Sequence, residues 1–381
     1  MNRPTFPKLC LILLALLAFS YCNIAQPAKL EFGISSSAGY YRVSQSDEYK
    51  NDFAYLMLSP SAILDLASYK SSLSSQIQAS ISQYRSESHS NLQNLDFSLD
   101  GQYNPISRLS FSLREALFLS GQLKATETIT EENLEYITTT YSFISNRFNQ
   151  NIGYRSKSGK TSLSIGYSNV TTKYEEDIQG WTTHAAMLQL GQSLMDKISA
   201  QAGFRFVRKQ YGEYSDYFSV PVSLSINQRL GSRFDTSISA GLENRGYIGS
   251  DQGSNWTKPT IRVNITGKIS AKSNSYFSFQ RSFSDSFGAN KYSVIRMSLH
   301  AGLNMQLGRA TQLMISPIYV SNDYLVIERM LKYFGITAMT QYGFTKLGSI
   351  ALSYRYNKRK NEIGSGQYDY HTVYASYSIK F

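Results

Sequence analysis

The end of the chain alternates apolar and polar side chains residue by residue. In the run Tyr368–Phe381, every second position from Val373 onward carries an apolar or aromatic side chain: Val373, Ala375, Tyr377, Ile379 and Phe381. The positions between them carry mainly hydroxyl groups. Because successive side chains of a strand point to opposite faces, this period of two predicts a strand with one apolar and one polar face.

The same period recurs along the chain and predicts eighteen strands, with sixteen as the alternative count. We place them at 30–43, 52–66, 72–85, 92–104, 108–120, 137–155, 161–173, 181–194, 198–209, 216–229, 233–246, 257–269, 275–285, 292–307, 311–321, 331–344, 348–358 and 368–381. The connections between them alternate between short and long. Among the long ones, Gln122–Tyr136 is rich in charge. The predicted fold class is therefore all-β, an antiparallel up-and-down barrel.

The last strand resembles the closing strand of Gram-negative outer-membrane β-barrels, which ends on an aromatic residue. The resemblance implies that Tyr377, Ile379 and Phe381 form the signal read by the barrel-assembly machinery. An unpaired amide in hydrocarbon costs several kcal/mol, so the sheet must close, and the last strand must pair with the first. An even strand count then places both termini in the periplasm.

The start of the chain predicts a cleaved signal peptide, residues 1–25. Arg3 and Lys8 precede an uncharged apolar stretch, and small and polar residues follow it up to Ala25. The stretch has about half of the ~20 apolar residues that a spanning helix needs. We therefore expect secretion without a helical anchor, and a mature chain of residues 26–381.

Composition restricts the chemistry of this mature chain. Its formal charge falls from +11 to +9 when Arg3 and Lys8 are removed, and both cysteines, Cys10 and Cys22, lie in the signal peptide. Disulfide frameworks and cysteine–metal sites are thus excluded. The histidines and carboxylates lack metal-ligand spacing, so we expect no metal and no cofactor. Basic residues show no organised reading element, so nucleic-acid binding is not expected. Eighteen membrane strands leave no room for a plug or a second domain.

Three segments together are similar to the N-terminal half of the second β-barrel porin family. They are Leu58-Ser59-Pro60-Ser61-Ala62-Ile63, the serine-rich Leu73–Tyr84, and Arg108-Leu109-Ser110-Phe111-Ser112-Leu113-Arg114. The resemblance implies an integral outer-membrane pore, encoded in some genomes with polysaccharide export systems and then working with periplasmic secretion partners. The Ala25-Gln26 junction is also similar to signal-peptide ends of Bacteroidetes.

Strand parity predicts which charged residues line the lumen. The predicted pore-lining set is Arg114, Arg205, Arg262, Arg296, Arg355, Asp96, Asp235 and Glu243. The arginines either attract anions, as rings of Arg and Lys do in pores, or pair with Asp96, Asp100, Asp235 and Glu243 and brace the wall. A barrel of this size is wide enough for an aqueous channel, which the long Gly121–Tyr136 loop constricts if it folds inward. Wall tyrosines and amides also suit a glycan.

The outer surface is predicted to contact lipid and lipopolysaccharide. Candidates for the aromatic girdles at the two membrane interfaces are Tyr40, Phe53, Tyr167, Trp181, Phe234, Trp256, Tyr319, Phe334, Tyr342 and Tyr377. Basic residues where strands meet the outer loops suit anionic lipopolysaccharide: Lys173, Arg208, Lys209, Lys291, Lys358, Arg359 and Lys360.

The preferred function is a pore or conduit for polar solutes, with polysaccharide export as its finer form. The alternatives are a barrel without an open channel that binds partners through its loops, and a lipid- or peptide-hydrolysing barrel. His184 and His371 fall at outer strand ends on the lipid-facing parity, where a phospholipase would place its base. Asp369 and His371 offer the spacing of an acid–histidine pair. No nucleophile motif accompanies either histidine, so we expect no enzyme.

Overall fold

The structure is a computed structural model. It describes residues 29–45, 49–85, 92–129, 134–174, 180–211, 216–248, 255–285, 293–324, 329–344, 348–361 and 367–380. The predicted signal peptide, His89, Lys291 and Phe381 lie outside these ranges. Within them, no helix is long and apolar enough to cross a membrane.

Eighteen antiparallel strands form one closed sheet, which confirms the predicted fold class. The strands are β1 Lys29–Gln45, β2 Tyr49–Ala67, β3 Ser71–Arg85, β4 Leu92–Ile106, β5 Leu109–Ile129, β6 Leu134–Arg155, β7 Thr161–Tyr174, β8 Trp181–Met195, β9 Ile198–Tyr211, β10 Asp216–Leu230, β11 Phe234–Ile248, β12 Trp256–Ser270, β13 Ser273–Asp285, β14 Ser293–Gln306, β15 Thr311–Tyr324, β16 Arg329–Gly343, β17 Gly348–Asn361 and β18 Gln367–Lys380. Each strand pairs with its neighbours in sequence. The seam is closed by β1 and β18, which pair from Gly33 opposite Lys380 to Gln45 opposite Tyr368.

One face of every strand is apolar and points out of the barrel. In β10, Val222, Leu224 and Ile226 are 48%, 67% and 54% exposed. The alternating Ser223 and Ser225 point the other way. Such a belt of exposed aliphatic side chains is stable in hydrocarbon and costly in water, and a closed sheet has no free edge to leave amides unpaired.

The buried apolar residues form small patches on the sheet, not a central core. Leu66, Leu73 and Leu99 pack together on the outward face. Val294, Tyr324 and Leu331 pack on the inward face of β14–β16, near the long connections. Outside these patches the sheet is held by its backbone ladder and by neighbouring side chains.

Glycines let aromatic rings lie flat across neighbouring strands. Tyr276 of β13 covers Gly302 of β14, where an added Cβ would stand 2.1 Å from the ring. The tyrosine hydroxyl reaches across β14 to Ser316 of β15, with 2.6 Å between the two oxygens. Gly302 therefore provides the space that allows one side chain to link three strands.

The connections are short at one end of the barrel, which we call the short-turn end, and longer at the other, the loop end. Two of the short turns use a glycine in the left-handed region, Gly159 with φ 70° and Gly231 with φ 64°. Residues with a Cβ rarely adopt this conformation, so glycine suits these turns. In the β6–β7 turn, the amide of Ser156 also donates to the carbonyl of Thr161.

The prediction of a long loop at Gly121–Tyr136 is wrong. Most of that segment continues β5 and β6 as a two-stranded ribbon, paired as far as Ile129 opposite Leu134. The sequence there is rich in threonine, whose branched Cβ favours extended backbone despite the neighbouring charges. The connection is therefore confined to the few residues between β5 and β6.

The final strand places the predicted assembly residues at the seam. Tyr377 points outward, is 39% exposed and stacks on Phe344 with ring centroids 5.8 Å apart. Ile379 lies opposite Ile34 of β1 and Gly348 of β17. Recognition of these residues by an assembly machine stays a prediction, and Phe381 lies outside the described residues.

Candidate functional site

The candidate site is the inward face of the barrel. All eight predicted pore-lining residues share that face by register, opposite to the exposed aliphatic side chains: Arg114 and Asp96, Arg205, Arg262, Arg296, Arg355, Asp235 and Glu243. The period of two in each strand was sufficient to assign these faces.

Three inward carboxylates pair with arginines, mostly not those expected from the sequence, whereas Asp96 has no arginine within ion-pair distance among the described residues. Arg114 forms an ion pair with Asp100, as expected. Asp235 accepts from Nε of Arg229 at 3.1 Å. Glu243 accepts from Arg245 at 3.1 Å and from the hydroxyl of Ser219 at 2.7 Å.

Three predicted arginines remain as exposed cations. Arg205, Arg262 and Arg296 are exposed on the inward face, and the described residues offer them no carboxylate within ion-pair distance. Arg355 donates from Nε to the hydroxyl of Thr337 at 3.3 Å, a neutral partner that leaves its charge uncompensated. Within the described ranges, Arg114 is thus the one predicted arginine whose ion pair braces the wall.

The inward face carries further cations that the predicted pore-lining set did not include. Arg147 of β6 lies 5.6 Å above the ring of Phe118, and Lys258 shares the face of Arg262 on β12. Strand parity would have found both, because each lies an even number of residues from another inward residue on its strand. Their presence adds to the positive charge of the wall.

Three residues predicted at the outer surface face inward instead. Trp181 pairs in register with Tyr211, Trp256 with Arg245, and Lys209 with Tyr217, all on the parity of the inward face. The prediction placed them by their position near strand ends and not by parity. The side chain of Phe53 lies outside the described part, and the other girdle candidates have the outward parity.

The two candidate catalytic histidines point outward and contact tyrosines. Nδ1 of His184 lies 2.8 Å from the hydroxyl of Tyr167, and Nδ1 of His371 lies 2.9 Å from that of Tyr354. Asp369 shares the outward face with His371, but it accepts from Tyr356 at 3.3 Å. In the described ranges, no three His, Cys, Asp or Glu side chains are grouped to hold a metal ion.

The barrel is wide enough to hold a column of water. Eighteen strands spaced about 4.8 Å apart and tilted by about 40° give a backbone diameter of about 36 Å. Side chains of about 6 Å on each wall leave a bore of about 24 Å. Among the described residues, every extensive contact between strands joins hydrogen-bonded neighbours, so no strand fills the bore.

A closed barrel of this kind, apolar outside and polar inside, belongs to the class of outer-membrane β-barrels. The apolar belt surrounds the whole sheet, and only a lipid bilayer covers such a surface completely. The protein is therefore integral to the outer membrane.

Comparison with solved structures places the fold beside outer-membrane channels. It is similar to OccK2 (OpdF) of Pseudomonas aeruginosa, with a TM-score of 0.54, 9% identity, and coverage of 93% of this chain and 98% of that one. For OccAB4 of Acinetobacter baumannii the TM-score is 0.52, the identity 10%, and the coverage 93% and 98%. For the ferric citrate transporter FecA the values are 0.51, 11%, and 92% and 79%.

These likenesses establish the fold. No protein-family model matches the chain, and no curated protein matches it. The resemblance to the second β-barrel porin family, and an origin in Bacteroidetes, therefore stay predictions.

Proposed function

We propose that the protein is a water-filled outer-membrane pore for small polar solutes, with a preference for anions. The observation that carries the proposal is the wide bore whose wall combines polar side chains with exposed arginines. Passage through such a bore requires no covalent chemistry, so the proposal makes the protein a channel and not an enzyme.

The preference for anions follows from the charges on the wall. Asp100, Asp235 and Glu243 are each compensated by an adjacent arginine. Arg205, Arg262 and Arg296 are not compensated within the described part of the chain. Asp96 has no ion-pair partner among the described residues, but the three arginines outnumber it, and the wall thus carries surplus positive charge. Arg205 and Arg262 lie near the middle of their strands and Arg296 lies nearer the loop end, and rings of Arg and Lys favour anions in pores.

The solved neighbours agree with polar cargo, although their likeness concerns the fold alone. OccK2 has been solved in complex with glucuronate, and FecA is a ferric citrate transporter. Both compounds are anions. Polysaccharide export and periplasmic secretion partners stay predictions, and so do periplasmic termini and contact with lipopolysaccharide.

Planar-bilayer recording tests the proposal. The purified protein should give stable unit currents and a reversal potential that favours chloride over potassium. If heat-modifiable migration on gels shows that the protein is folded and it still carries no current, the open pore is refuted and the barrel without a channel is favoured. Outer-membrane vesicles should contain the protein in a form that resists extraction by high salt.

A further inference from the structure

A polar cavity of about 520 Å³ lies at the short-turn end of the barrel, along β13–β16. Two cations line it from the turns, Lys272 between β12 and β13 and Arg309 between β14 and β15. Five amide side chains line it from the strands: Asn274, Asn304, Gln306, Gln312 and Gln341. We call these seven residues the turn-end pocket. Its volume lies in the range of small-molecule sites in proteins.

The cross-strand register makes the five amides neighbours on the inward face. Asn274 pairs with Asn304, Gln306 with Gln312, and Gln312 with Gln341. Asn304 and Gln306 lie an even number of residues from the inward Arg296 on β14, so all five face the bore. Since directly opposed residues of antiparallel strands have Cβ atoms about 5 Å apart, the amides form a continuous polar surface across four strands.

Most of these amides are free to bind a solute. Gln341 donates from Nε2 to Oγ of Ser349 at 3.3 Å. The other four have no side-chain hydrogen bond within the described part of the chain: Asn274, Asn304, Gln306 and Gln312. By contrast, inward amides on the two flanking strands accept from hydroxyl groups, Asn264 of β12 at 2.8 Å and Asn357 of β17 at 2.6 Å. The sheet thus uses the flanking amides and leaves those of the pocket unbonded.

The charge of the pocket is not compensated locally. Lys272 and Arg309 are exposed, and no described carboxylate lies within ion-pair distance of either. Among the described residues that line the pocket, none is acidic. Lys268 lies opposite Asn274 in register and adds a third cation beside the pocket. The pocket therefore attracts anions.

The donors in the pocket define the chemistry of a ligand. Lysine and arginine side chains donate and cannot accept, and each amide offers two N–H donors. They suit an anion that is rich in acceptor oxygens. A phosphate monoester has a charge of about −1.5 to −2 at pH 7 and three acceptor oxygens, which the two cations and the adjacent amides bind together. A single carboxylate carries one charge and leaves one of the cations without an anionic partner.

We infer that the turn-end pocket is a binding subsite for the phosphate group of a small solute. The inference rests on the proposed pore and names a class of anion that pauses at its short-turn end. Binding must be weak enough for release, as in any conducting site.

Calorimetric titration tests the subsite without a measurement of current. Folded protein in a neutral detergent, in chloride buffer of constant ionic strength, should give saturable heat with potassium phosphate. Glycerol phosphate carries the same group on an organic solute and should do the same, whereas glycerol should give no saturable heat. Potassium acetate, with its single charge, should require at least about tenfold higher concentration, because it forms fewer hydrogen bonds to charged groups.

Charge variants assign the cations. Lys272→Gln and Arg309→Gln should each raise the half-saturating concentration of phosphate about tenfold, since each removes a charge-assisted hydrogen bond. Lys160→Gln and Arg233→Gln remove exposed charges from two other short turns and should leave that concentration unchanged. Heat-modifiable migration on gels verifies that each variant is folded.

An amide variant assigns the strand side of the pocket. Gln312→Glu keeps the shape of the side chain and places a negative charge among the donors, so it should abolish saturable binding of phosphate. Gln201→Glu makes the same change on the inward face of β9 and should retain the binding.

The same preparation recorded in a bilayer separates the two proposals. Current without saturable heat from phosphate would overturn the subsite and leave the pore intact, and so would equal effects of the pocket variants and their controls. Selective binding of phosphate without current would overturn the pore and leave the subsite intact.

Discussion

Reversing three lumenal charges should reverse the ion preference of the channel. The perturbation is Arg205→Glu, Arg262→Glu and Arg296→Glu together. These side chains are exposed on the inward face and lack an acidic partner among the described residues. The substitution therefore changes the field in the bore without breaking an observed ion pair.

The magnitude follows from the width of the barrel. A guanidinium on the wall lies about 12 Å from the axis of the bore. At that distance in water, its Coulomb interaction with a monovalent ion on the axis is about 0.35 kcal/mol. Three charges give about 1 kcal/mol, which screening at 0.1 M salt reduces to about 0.3 kcal/mol. Reversing the three charges changes the energy of each ion on the axis by twice this amount, with opposite signs for anions and cations. The ratio of anion to cation permeability should therefore change about eightfold.

Salt provides a second, independent expectation. At 0.01 M the Debye length exceeds the distance from wall to axis, and the change in permeability ratio should grow to roughly 100-fold. At 1 M the Debye length is about 3 Å, and the effect should nearly vanish.

The assay is the reversal potential across a bilayer without lipopolysaccharide. With a tenfold salt gradient centred near 0.1 M, the triple variant should move the potential toward cation preference by roughly 40 mV, since a single charge gives at most about 59 mV per tenfold gradient. The control replaces Arg208, Lys332 and Lys358 with Glu, an equal charge change on the outward face. An unchanged potential, or an equal shift in the control, would refute the reasoning.

Three further substitutions test the wall and the fold. Leu224→Arg on the lipid face should destabilise the folded barrel by about 2–4 kcal/mol, measured by urea unfolding in lipid vesicles, whereas Ser225→Arg on the inward face should cost far less. Gly302→Ala should lower the free energy of unfolding by about 1–3 kcal/mol, because the added methyl group overpacks against Tyr276. In a protein that already carries Tyr276→Ala, the same substitution should be nearly neutral, and equal costs in both backgrounds would show that Tyr276 does not cover Gly302. Glu243→Ala should lower the free energy of unfolding by about 3 kcal/mol because it removes the carboxylate partner of the buried Arg245, and Glu243→Gln should be milder; equal thermal midpoints would contradict this.

The period of two predicted most of the fold because each strand has different surroundings on its two faces. Lipid on one side and water on the other force the alternation, so strand number and the inward arginines could be deduced from spacing. The residues at which strands end were harder to predict. Beyond Gly121 the sequence carries charged residues and threonines, so only the weaker preference of threonine for extended backbone indicates that β5 and β6 continue.

Side-chain pairing could not be deduced from spacing. The partner of Glu243 is Arg245 on the same strand, two residues away on the same face, and the sequence offered several other arginines. Trp181 and Trp256 were assigned by residue type, since tryptophan commonly lies at the lipid interface. Strand parity gives their direction, since Trp256 lies six residues from the inward Arg262, and the cross-strand register confirms it.

Cysteine labelling along β10 tests the central claim, an aqueous lumen enclosed by an apolar exterior. Both native cysteines precede residue 26, so a chain starting there reports only the introduced thiols. In lipid vesicles, a membrane-impermeant maleimide should label cysteines at Ser223 and Ser225 and spare those at Val222 and Leu224. Labelling of both sets, or protection of the serine positions, would contradict the account.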